Sequence, residues 1–144
     1  MDHAILRHQQ DGKGFGLIML DVDHFKLYND YYGHQKGDLC LMAIARALES
    51  AALTSSAIVG RFGGEEFILL LPDADAESLE TAAQNIAAVL QAQNIPHAAS
   101  PVSDRVTVSQ GLALWQPGVS ARELIAGADK ALYQAKQEGR NRYK

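Results

Sequence analysis

Cysteine is nearly absent from this chain, whose 144 residues include only Cys40. A single thiol cannot form an intramolecular disulfide, so the fold must rely on its apolar core. Apolar neighbours at 39, 41, 42 and 44 favour a buried position for Cys40 on one side of a helix. Such cysteine usage is typical of proteins in a reducing cytoplasm.

Long apolar runs are absent as well, and none approaches the length of a transmembrane helix. Residues 1–3 lack the basic start and the apolar core of a signal peptide, which favours a cytoplasmic domain without membrane contact. The net charge of −4 also lacks the basic excess that a nucleic-acid surface normally needs. Composition therefore disfavours secreted, membrane-spanning and nucleic-acid-binding proteins.

Further classes are disfavoured because their motifs are missing. His24 and His97 have no partners at metal-ligand spacing, which argues against a zinc site. The glycine-rich segments fail the Walker and Rossmann spacings, which argues against a P-loop ATPase or a dinucleotide dehydrogenase. A content of 47% hydrophobic and 21% charged residues fits one soluble globular domain over 1–144.

The segment 61–67, Arg-Phe-Gly-Gly-Glu-Glu-Phe, is the most informative feature that is present. Apolar runs on both sides predict two strands joined by a tight turn through Gly63 and Gly64. Glycine permits positive φ and has no Cβ to block a ligand, so backbone amides here can approach a phosphate or a base. Glu65 and Glu66 then lie at the tip, where their repulsion favours a bound cation. An ordinary hairpin with a solvated acidic strand is the alternative.

A second acidic element follows the apolar run 15–20, where Asp21 and Asp23 stand at the end of a predicted strand. Carboxylates at strand ends leave the core but stay anchored by it, which suits a ligand site. The Asp-x-Asp pattern is common, so it carries weight only together with the hairpin.

Hydrophobic periodicity predicts the remaining elements. Helices are expected at 2–10, 26–32, 37–52, 78–93 and 121–138. A further strand is expected at 105–115, and its partner is not evident. Gly33 and Gly139 are expected to end the second and the last helix. Helices alternating with strands, two of them in a hairpin, predict an α+β or mixed α/β fold rather than a purely parallel sheet.

Five segments, in order, resemble the GGDEF family of diguanylate cyclases. They are Asp-x-Asp-x-Phe-Lys-x-x-Asn-Asp from residue 21, Gly-His-x-x-Gly-Asp from residue 33, the hairpin 61–67, Val-Thr-Val-Ser-Gln-Gly from residue 106, and 128–141. The resemblance covers nearly the whole chain. It implies a central, mainly antiparallel sheet flanked by helices, like the ferredoxin-like core of nucleotidyl cyclases and the palm of polymerases.

The resemblance also implies an enzyme of bacterial signalling that condenses two GTP into the second messenger cyclic di-GMP and pyrophosphate. Such a reaction builds charge on oxygens that are already negative, and hard divalent cations stabilise that charge. Two Mg²⁺ ions are expected, with Mn²⁺ as an alternative. Asp21 and Glu66 would be side-chain ligands and Val22 a backbone ligand, whereas Asp23 would at most assist. Glu65 is a candidate to accept the proton of the attacking 3′-hydroxyl.

For the base of GTP, the resemblance implies contacts from two side chains. Asn29 and Asp38 match positions that contact guanine, and an aspartate at position 38 favours GTP over ATP. Helix capping beside Gly33 and Gly37 is the alternative interpretation of both side chains.

For the phosphates, the resemblance implies Lys136 and Arg140, which share a helix face if the last helix extends that far. A solvated basic helix end, favoured by the helix dipole, is the alternative for this pair. Lys26, Phe25 and nearby backbone amides are also expected to bind substrate, together with Gly63 and Gly64.

Two departures from the family pattern carry further expectations. Many members have an Arg-x-x-Asp product-inhibition site five residues before the first hairpin glycine, where this chain has Thr-Ser-Ser-Ala at 54–57. Tight product feedback through that site is therefore not expected. The family's usual Asp-x-Leu-Thr-x-Leu-x-Asn-Arg start is also missing. This favours a domain excised from a longer protein, which has an upstream sensory or dimerising module and is either soluble or membrane-anchored.

Cyclic di-GMP is two-fold symmetric, whereas one domain holds one GTP. Two domains must therefore face each other, and a transient, isologous homodimer is expected. A non-catalytic module that binds GTP or cyclic di-GMP is the main alternative, and a cyclase acting on one nucleotide is a weaker one. The intact acids, Asn29 and Asp38 favour the enzyme.

Overall fold

The computed structural model describes residues 14–51 and 57–144, which form four strands and four helices. The strands are β1 (Phe15–Val22), β2 (Ile58–Gly63), β3 (Glu66–Pro72) and β4 (Val108–Leu114). The helices are α1 (Phe25–Tyr32), α2 (His34–Ala51), α3 (Ala76–Gln93) and α4 (Ala121–Gln137). The helix predicted at 2–10 lies outside the described residues.

The four strands form one antiparallel sheet in the order β2-β3-β1-β4. β1 is an inner strand, and all eight of its residues are buried. β4, whose partner the sequence left open, pairs with β1. The predicted α+β fold with a helix-flanked antiparallel sheet is confirmed. Within the described ranges, no helix is long and apolar enough to cross a bilayer.

Each face of the sheet has its own core, because successive side chains of a strand point to opposite faces. Leu17 and Met19 pack in the smaller core, which also contains Leu132 of α4. Ile18 and Leu20 pack in the larger core, which the helices α1, α2 and α3 share. Asp21 follows the same alternation and therefore lies on the α4 side of the sheet.

Cys40 lies in the larger core on α2, as predicted, and is 3% exposed. Burial raises the pKa of its thiol to about 11. The thiol is thus protonated and unreactive at neutral pH.

The close contact between α4 and β4 depends on Gly111. A Cβ at this position would lie 2.1 Å from the Ala128 carbonyl oxygen and 2.4 Å from the Leu132 nitrogen. Both distances are far below van der Waals contact, so a larger residue would push the helix away from the sheet. Gly111 therefore sets how closely α4, the helix that carries Lys136, packs on the sheet.

Most helix limits agree with the prediction, and their caps explain them. Asp75 accepts a hydrogen bond from the Ser78 amide at the start of α3, in a reciprocal capping box. Ser120 accepts from the Glu123 amide at the start of α4. Gly33, with φ of 92°, ends α1 as predicted.

The prediction was wrong at α2, which begins at His34 rather than at 37. Gly37 lies inside this helix and donates to the Gly33 carbonyl oxygen (3.0 Å). An added Cβ at Gly37 would lie 1.8 Å from Oδ1 of Asn29. The glycine therefore allows the packing of α2 against α1 and does not mark a helix start.

Candidate active site

Strand register brings two predicted site carboxylates side by side. Asp21 at the end of β1 pairs with Glu66 at the start of β3, and its neighbour on the other side is Ser109. Directly opposite residues of antiparallel strands point to the same face, with Cβ atoms about 4.5–5.5 Å apart. Both acids thus extend the α4 face of the sheet beyond its apolar core.

The hairpin turn lies one residue later than predicted. Gly63 pairs with Glu66 and ends β2, so the turn residues are Gly64 and Glu65. Neither glycine has positive φ, which corrects the expectation of a turn through Gly63 and Gly64 that uses that freedom. The Arg61 guanidinium closes the turn by donating to the Gly64 carbonyl oxygen from Nε (2.9 Å) and Nη2 (2.7 Å).

Gly63 and Gly64 are exposed, and a Cβ on either would meet no heavy atom of the described chain within 4 Å. The fold itself therefore does not need glycine at these positions. The missing side chains leave the backbone of the hairpin open to a ligand.

Glu65 joins the two acids through its backbone and its charge. Its carbonyl oxygen accepts a hydrogen bond from the Val22 amide (3.3 Å), which ties the hairpin turn to the end of β1. Its carboxylate lies within electrostatic range of both Asp21 and Glu66. The three carboxylates form one acidic cluster.

This cluster has an excess of negative charge. Burial raises the pKa of Asp21, and the charges of Glu65 and Asp23 add to the effect, whereas Lys136 lowers it. Burial also raises the pKa of Glu66, and repulsion by Asp21 contributes. Oδ1 of Asp21 is buried and has no hydrogen-bond partner among the described residues. A bound cation would relieve both the repulsion and the missing contact.

Lys136, in the last turn of α4, forms an ion pair and a hydrogen bond with Oδ2 of Asp21. The sequence predicted Lys136 on a triphosphate, and in the structure its ammonium contacts Asp21. The side chain of Lys136 is 29% exposed, so it has room to leave Asp21.

Arg140 does not share a helix face with Lys136, contrary to the expectation, because α4 ends at Gln137. Gly139, Arg140 and Asn141 have successive positive φ values of 122°, 65° and 51°, which turn the chain back to the sheet. Burial and, next, the charge of Arg140 lower the pKa of His24. The guanidinium therefore lies within electrostatic range of the start of α1.

Asp23 has a structural environment that the sequence did not reveal. Its buried carboxylate accepts hydrogen bonds from Thr107 Oγ1 (2.8 Å), Ser109 Oγ (2.6 Å) and the Asn141 amide (3.0 Å). These donors occupy both oxygens and tie the turn after α4 to β1. In the sequence, Thr107 and Ser109 alternate with the valines of Val-Thr-Val-Ser. This alternation was the available sign that both hydroxyls lie on one face of a strand, where they could bind the same partner.

The start of α1 presents free backbone amides. The preceding residue, His24, makes no side-chain cap, and the amides of Phe25 and Lys26 have no acceptor among the described residues. Phe25 itself is buried and stacks on Tyr28, with ring centroids 6.0 Å apart, so only its backbone is available to a ligand. The Lys26 side chain is exposed.

Asn29 and Asp38 lie where α1 and α2 meet. The Asn29 side chain packs against Gly37, and its Oδ1 is buried without a hydrogen-bond partner among the described residues. The end of α1 is instead capped by backbone, with the Gly33 amide donating to the Asn29 carbonyl oxygen (2.8 Å). Side-chain capping therefore does not explain Asn29, and Asp38, the residue after Gly37, is exposed.

A cavity of about 350 Å³ lies elsewhere, between α3, residues 103–108 and the C-terminal residues 141–143. None of the predicted site residues lines it. The candidate site at the end of β1 is therefore separate from this cavity.

The sequence profile of the family described as "Diguanylate cyclase, GGDEF domain" matches residues 1–142. Among curated proteins, the chain is 41% identical to the diguanylate cyclase DgcM of Escherichia coli over 140 residues. This match covers 95% of the chain and 32% of DgcM. The chain thus spans about a third of the length of that relative.

Solved structures agree with the sequence matches. The GGDEF domain of DgcB from Caulobacter crescentus, in complex with c-di-GMP, is 34% identical with a TM-score of 0.87, covering 98% of this chain and 82% of that one. The active GGEEF domain of a diguanylate cyclase from Vibrio cholerae is 31% identical with a TM-score of 0.81, covering 99% and 91%. By sequence and by fold, the chain therefore belongs to the GGDEF-domain family of diguanylate cyclases.

Proposed function

We propose that this domain condenses two GTP into cyclic di-GMP and two pyrophosphates. The observation that carries the proposal is the pairing of Asp21 with Glu66, where Oδ1 of Asp21 is buried and lacks a partner among the described residues. Family membership and similarity to a domain solved with c-di-GMP support the substrate and product class. Because the chain spans about a third of DgcM, the proposal concerns the reaction of this domain and not the activity of a longer protein. The reaction is proposed to take place in the cytoplasm.

Asp21, Glu66 and the Val22 carbonyl oxygen are proposed to hold Mg²⁺, in one or two ions, with Mn²⁺ as the alternative. The fit rests on adjacent carboxylates with raised pKa values and on the unpartnered oxygen of Asp21. No three His, Cys, Asp or Glu side chains form a metal-binding group in residues 14–51 and 57–144. Mg²⁺ does not require one, because it usually takes further ligands from phosphate and water. Such ions, when bound, neutralise charge on the entering and leaving oxygens.

The triphosphate is proposed to bind at the start of α1. Free amides at a helix N-terminus attract phosphate, and Phe25 and Lys26 supply two of them. The Lys26 side chain and the Arg140 guanidinium would add positive charge. Lys136 is proposed to leave Asp21 for a phosphate oxygen in the loaded site. Next to them, the bare backbone of Gly63 and Gly64 lets the nucleotide approach the hairpin.

Guanine is proposed to bind between Asn29 and Asp38. The N1–H and N2–H₂ donors of guanine match a carbonyl oxygen and a carboxylate. The unpartnered Oδ1 of Asn29 supports this assignment, because a buried acceptor without a donor is unfavourable unless a ligand supplies one. The resulting preference is for GTP over ATP.

Glu65 is proposed to take the proton of the 3′-hydroxyl as its oxygen attacks the α-phosphorus of the opposing GTP. A new O–P bond forms while the bond to pyrophosphate breaks, and a second, symmetric attack closes the ring. Each domain supplies one nucleotide, so the productive species is a transient two-fold homodimer. An upstream sensory or dimerising module in a longer protein would raise the frequency of that encounter.

We expect no tight product inhibition through 54–57, where the sequence lacks the Arg-x-x-Asp pattern. Residues 54–56 lie outside the described part, so this expectation rests on the sequence. Nanomolar binding of cyclic di-GMP that survives mutation of the acidic cluster would contradict it.

The test is incubation of the purified chain with GTP and Mg²⁺ at low and high protein concentration, with products identified by mass spectrometry. Glu66→Gln removes one charge and keeps the shape, and Glu49→Gln at an exposed position of α2 is the matched control. We expect cyclic di-GMP from the parent and from Glu49→Gln only, with specific activity rising with protein concentration. GTP binding without product would favour the binding module, and constant specific activity would contradict the transient dimer.

A further inference from the structure

His97 is a buried histidine outside the five segments that carry the resemblance to the family. It lies in the connection between α3 and β4 and is 1% exposed. Its Nε2 is 3.1 Å from the carbonyl oxygen of His24. A carbonyl oxygen only accepts, so Nε2 carries the hydrogen, while the buried Nδ1 has no partner among the described residues. Within the described ranges, the polar contact of this ring is therefore the one with His24.

His24 is strained at this point. Its backbone is left-handed, with φ of 53° and ψ of 40°, which is unfavourable for a residue with a side chain. Its carbonyl oxygen also accepts the first helical hydrogen bond of α1, from the Tyr28 amide (3.1 Å). One oxygen thus receives two donors, and the donor from His97 helps to hold the strained conformation.

The strained residue separates the two parts of the proposed substrate site. Before it, two hydrogen bonds fix the backbone at the end of β1. The Val22 amide donates to the Glu65 carbonyl oxygen (3.3 Å), and the Asp23 amide donates to the Thr107 carbonyl oxygen (3.0 Å). After it come the free amides of Phe25 and Lys26. The conformation of His24 therefore sets the direction of these amides relative to Asp21.

The connection that carries His97 is itself well fixed. The His97 amide donates to the Asp104 carbonyl oxygen (2.9 Å), and the Val106 amide donates to Ile95 (2.8 Å). The imidazole packs edge-on against Tyr28, with ring centroids 5.2 Å apart. Such support gives the imidazole one orientation, as a positioning group requires.

We propose that His97 is a positioning residue. Its imidazole donates to the His24 carbonyl oxygen, holds the left-handed backbone of His24 and so orients the phosphate-binding start of α1. This inference rests on the proposed function, since it assigns the nucleotide phosphates to that turn. His97 does not touch the substrate in this proposal and takes no part in proton transfer.

Two substitutions of similar size isolate the hydrogen bond. His97→Gln keeps a donor near the position of Nε2, whereas His97→Met has a similar length and no donor, and both lose the ring packing equally. Tyr32→Phe is the control on the same connection, because it removes the bond from the Ala98 amide to the Tyr32 hydroxyl (2.9 Å) and leaves His24 untouched.

The first measurement is the affinity of each variant for a non-hydrolysable GTP analogue with Mg²⁺. We expect His97→Met to bind about tenfold more weakly than His97→Gln, as for the loss of one supporting hydrogen bond. Tyr32→Phe should bind like the parent. Equal affinities of the Gln and Met variants, or an equal loss in Tyr32→Phe, would overturn the proposal.

The second measurement needs neither substitution nor nucleotide. In the NMR spectrum of the parent, the His97 ring should show the Nε2–H tautomer with a slowly exchanging proton. The Nδ1–H tautomer or a freely exchanging ring would overturn the proposal even if His97→Met fails to fold. If the parent shows the expected ring state but binds no GTP, the proposed function fails while the contact between His97 and His24 stands.

Discussion

Asp21 and Asp23 lie two residues apart at the end of β1, yet their surroundings differ completely. Asp23 accepts three hydrogen bonds from neutral donors. Among the described residues, Asp21 has one charged partner, Lys136, and one buried oxygen without any partner. We call Asp21, Glu65 and Glu66 the open group, and Asp23, Thr107, Ser109 and Asn141 the closed group.

The difference shows how one strand end serves both stability and binding. Buried polar groups that exchange water for well-placed donors stabilise a fold, and the closed group meets this condition. Carboxylates that repel each other oppose folding, and so does a buried carboxylate oxygen without a donor; the open group combines the two, since Oδ1 of Asp21 has no donor among the described residues. A cation bound at the open group would relieve this repulsion, which is the property expected of a metal site.

The largest expected effect is that of Asp21→Asn on activity. We expect cyclic di-GMP formation to fall by more than about 100-fold, because a proposed metal ligand is lost. The free energy of unfolding should change by less than about 1 kcal/mol, since the buried charge disappears and Lys136 can turn to solvent. Product analysis and urea unfolding measure the two quantities, and an active Asp21→Asn enzyme would contradict the role of the open group.

Asp23→Ala tests the closed group. It removes the acceptor of three donors, two of them in buried hydrogen bonds, so we expect a loss of about 3 kcal/mol in unfolding free energy. Asp30→Ala, at an exposed position on α1, is the control and should remain within about 0.5 kcal/mol of the parent. Urea unfolding of the three proteins measures the difference, and equal stabilities would mean that the closed group does not stabilise the fold.

Two glycines extend the comparison from carboxylates to backbone. Gly111→Ala should cost about 2 kcal/mol of stability, because its Cβ would clash with the Ala128 carbonyl oxygen. Gly64→Ala should change stability by less than about 0.5 kcal/mol, since its Cβ meets open space, while weakening GTP binding. Thermal unfolding measures the stabilities and nucleotide titration measures the affinity for GTP. A strongly destabilised Gly64→Ala would contradict the view that the fold itself does not need glycine at this position.

The smallest effect concerns pH. The pKa of Glu66 is raised above its ordinary value of 4.5, chiefly by burial and then by Asp21. The folded chain therefore keeps the Glu66 carboxyl protonated to a higher pH than the unfolded chain does. Ionisation of Glu66 then favours unfolding as the pH rises above 4.5. Without divalent cations, Glu66→Gln should gain stability relative to the parent between pH 4.5 and 7. A constant difference across this range, measured by urea unfolding, would argue against repulsion in the open group.

Local patterns were sufficient for most elements. The apolar run before Asp21, the hairpin around Gly63, and the caps of α3 and α4 produced the predicted strands and helices, because each depends on neighbouring residues. The error at α2 arose because a glycine in this sequence pattern is typical of a helix start. In the structure, Gly37 is needed because a side chain there would collide with the Asn29 side chain.

The site was predictable only in part. Asp21 and Glu66 were expected together, and register places them opposite each other. The shared helix face of Lys136 and Arg140 was not formed, because three residues with positive φ follow α4. The contact of His97 with His24 was also missed, since an isolated histidine in a sequence gives no sign of its partner.

The sequence by itself determined the family, the antiparallel α+β fold, and the identity of the acids that could serve the reaction. The tertiary structure alone decided which carboxylate is satisfied and which is left open. The physical reason is distance along the chain: the donor Thr107 lies 84 residues from Asp23, and Lys136 lies 115 residues from Asp21. Partners so far apart are brought together by packing of the whole sheet, and no local pattern encodes them.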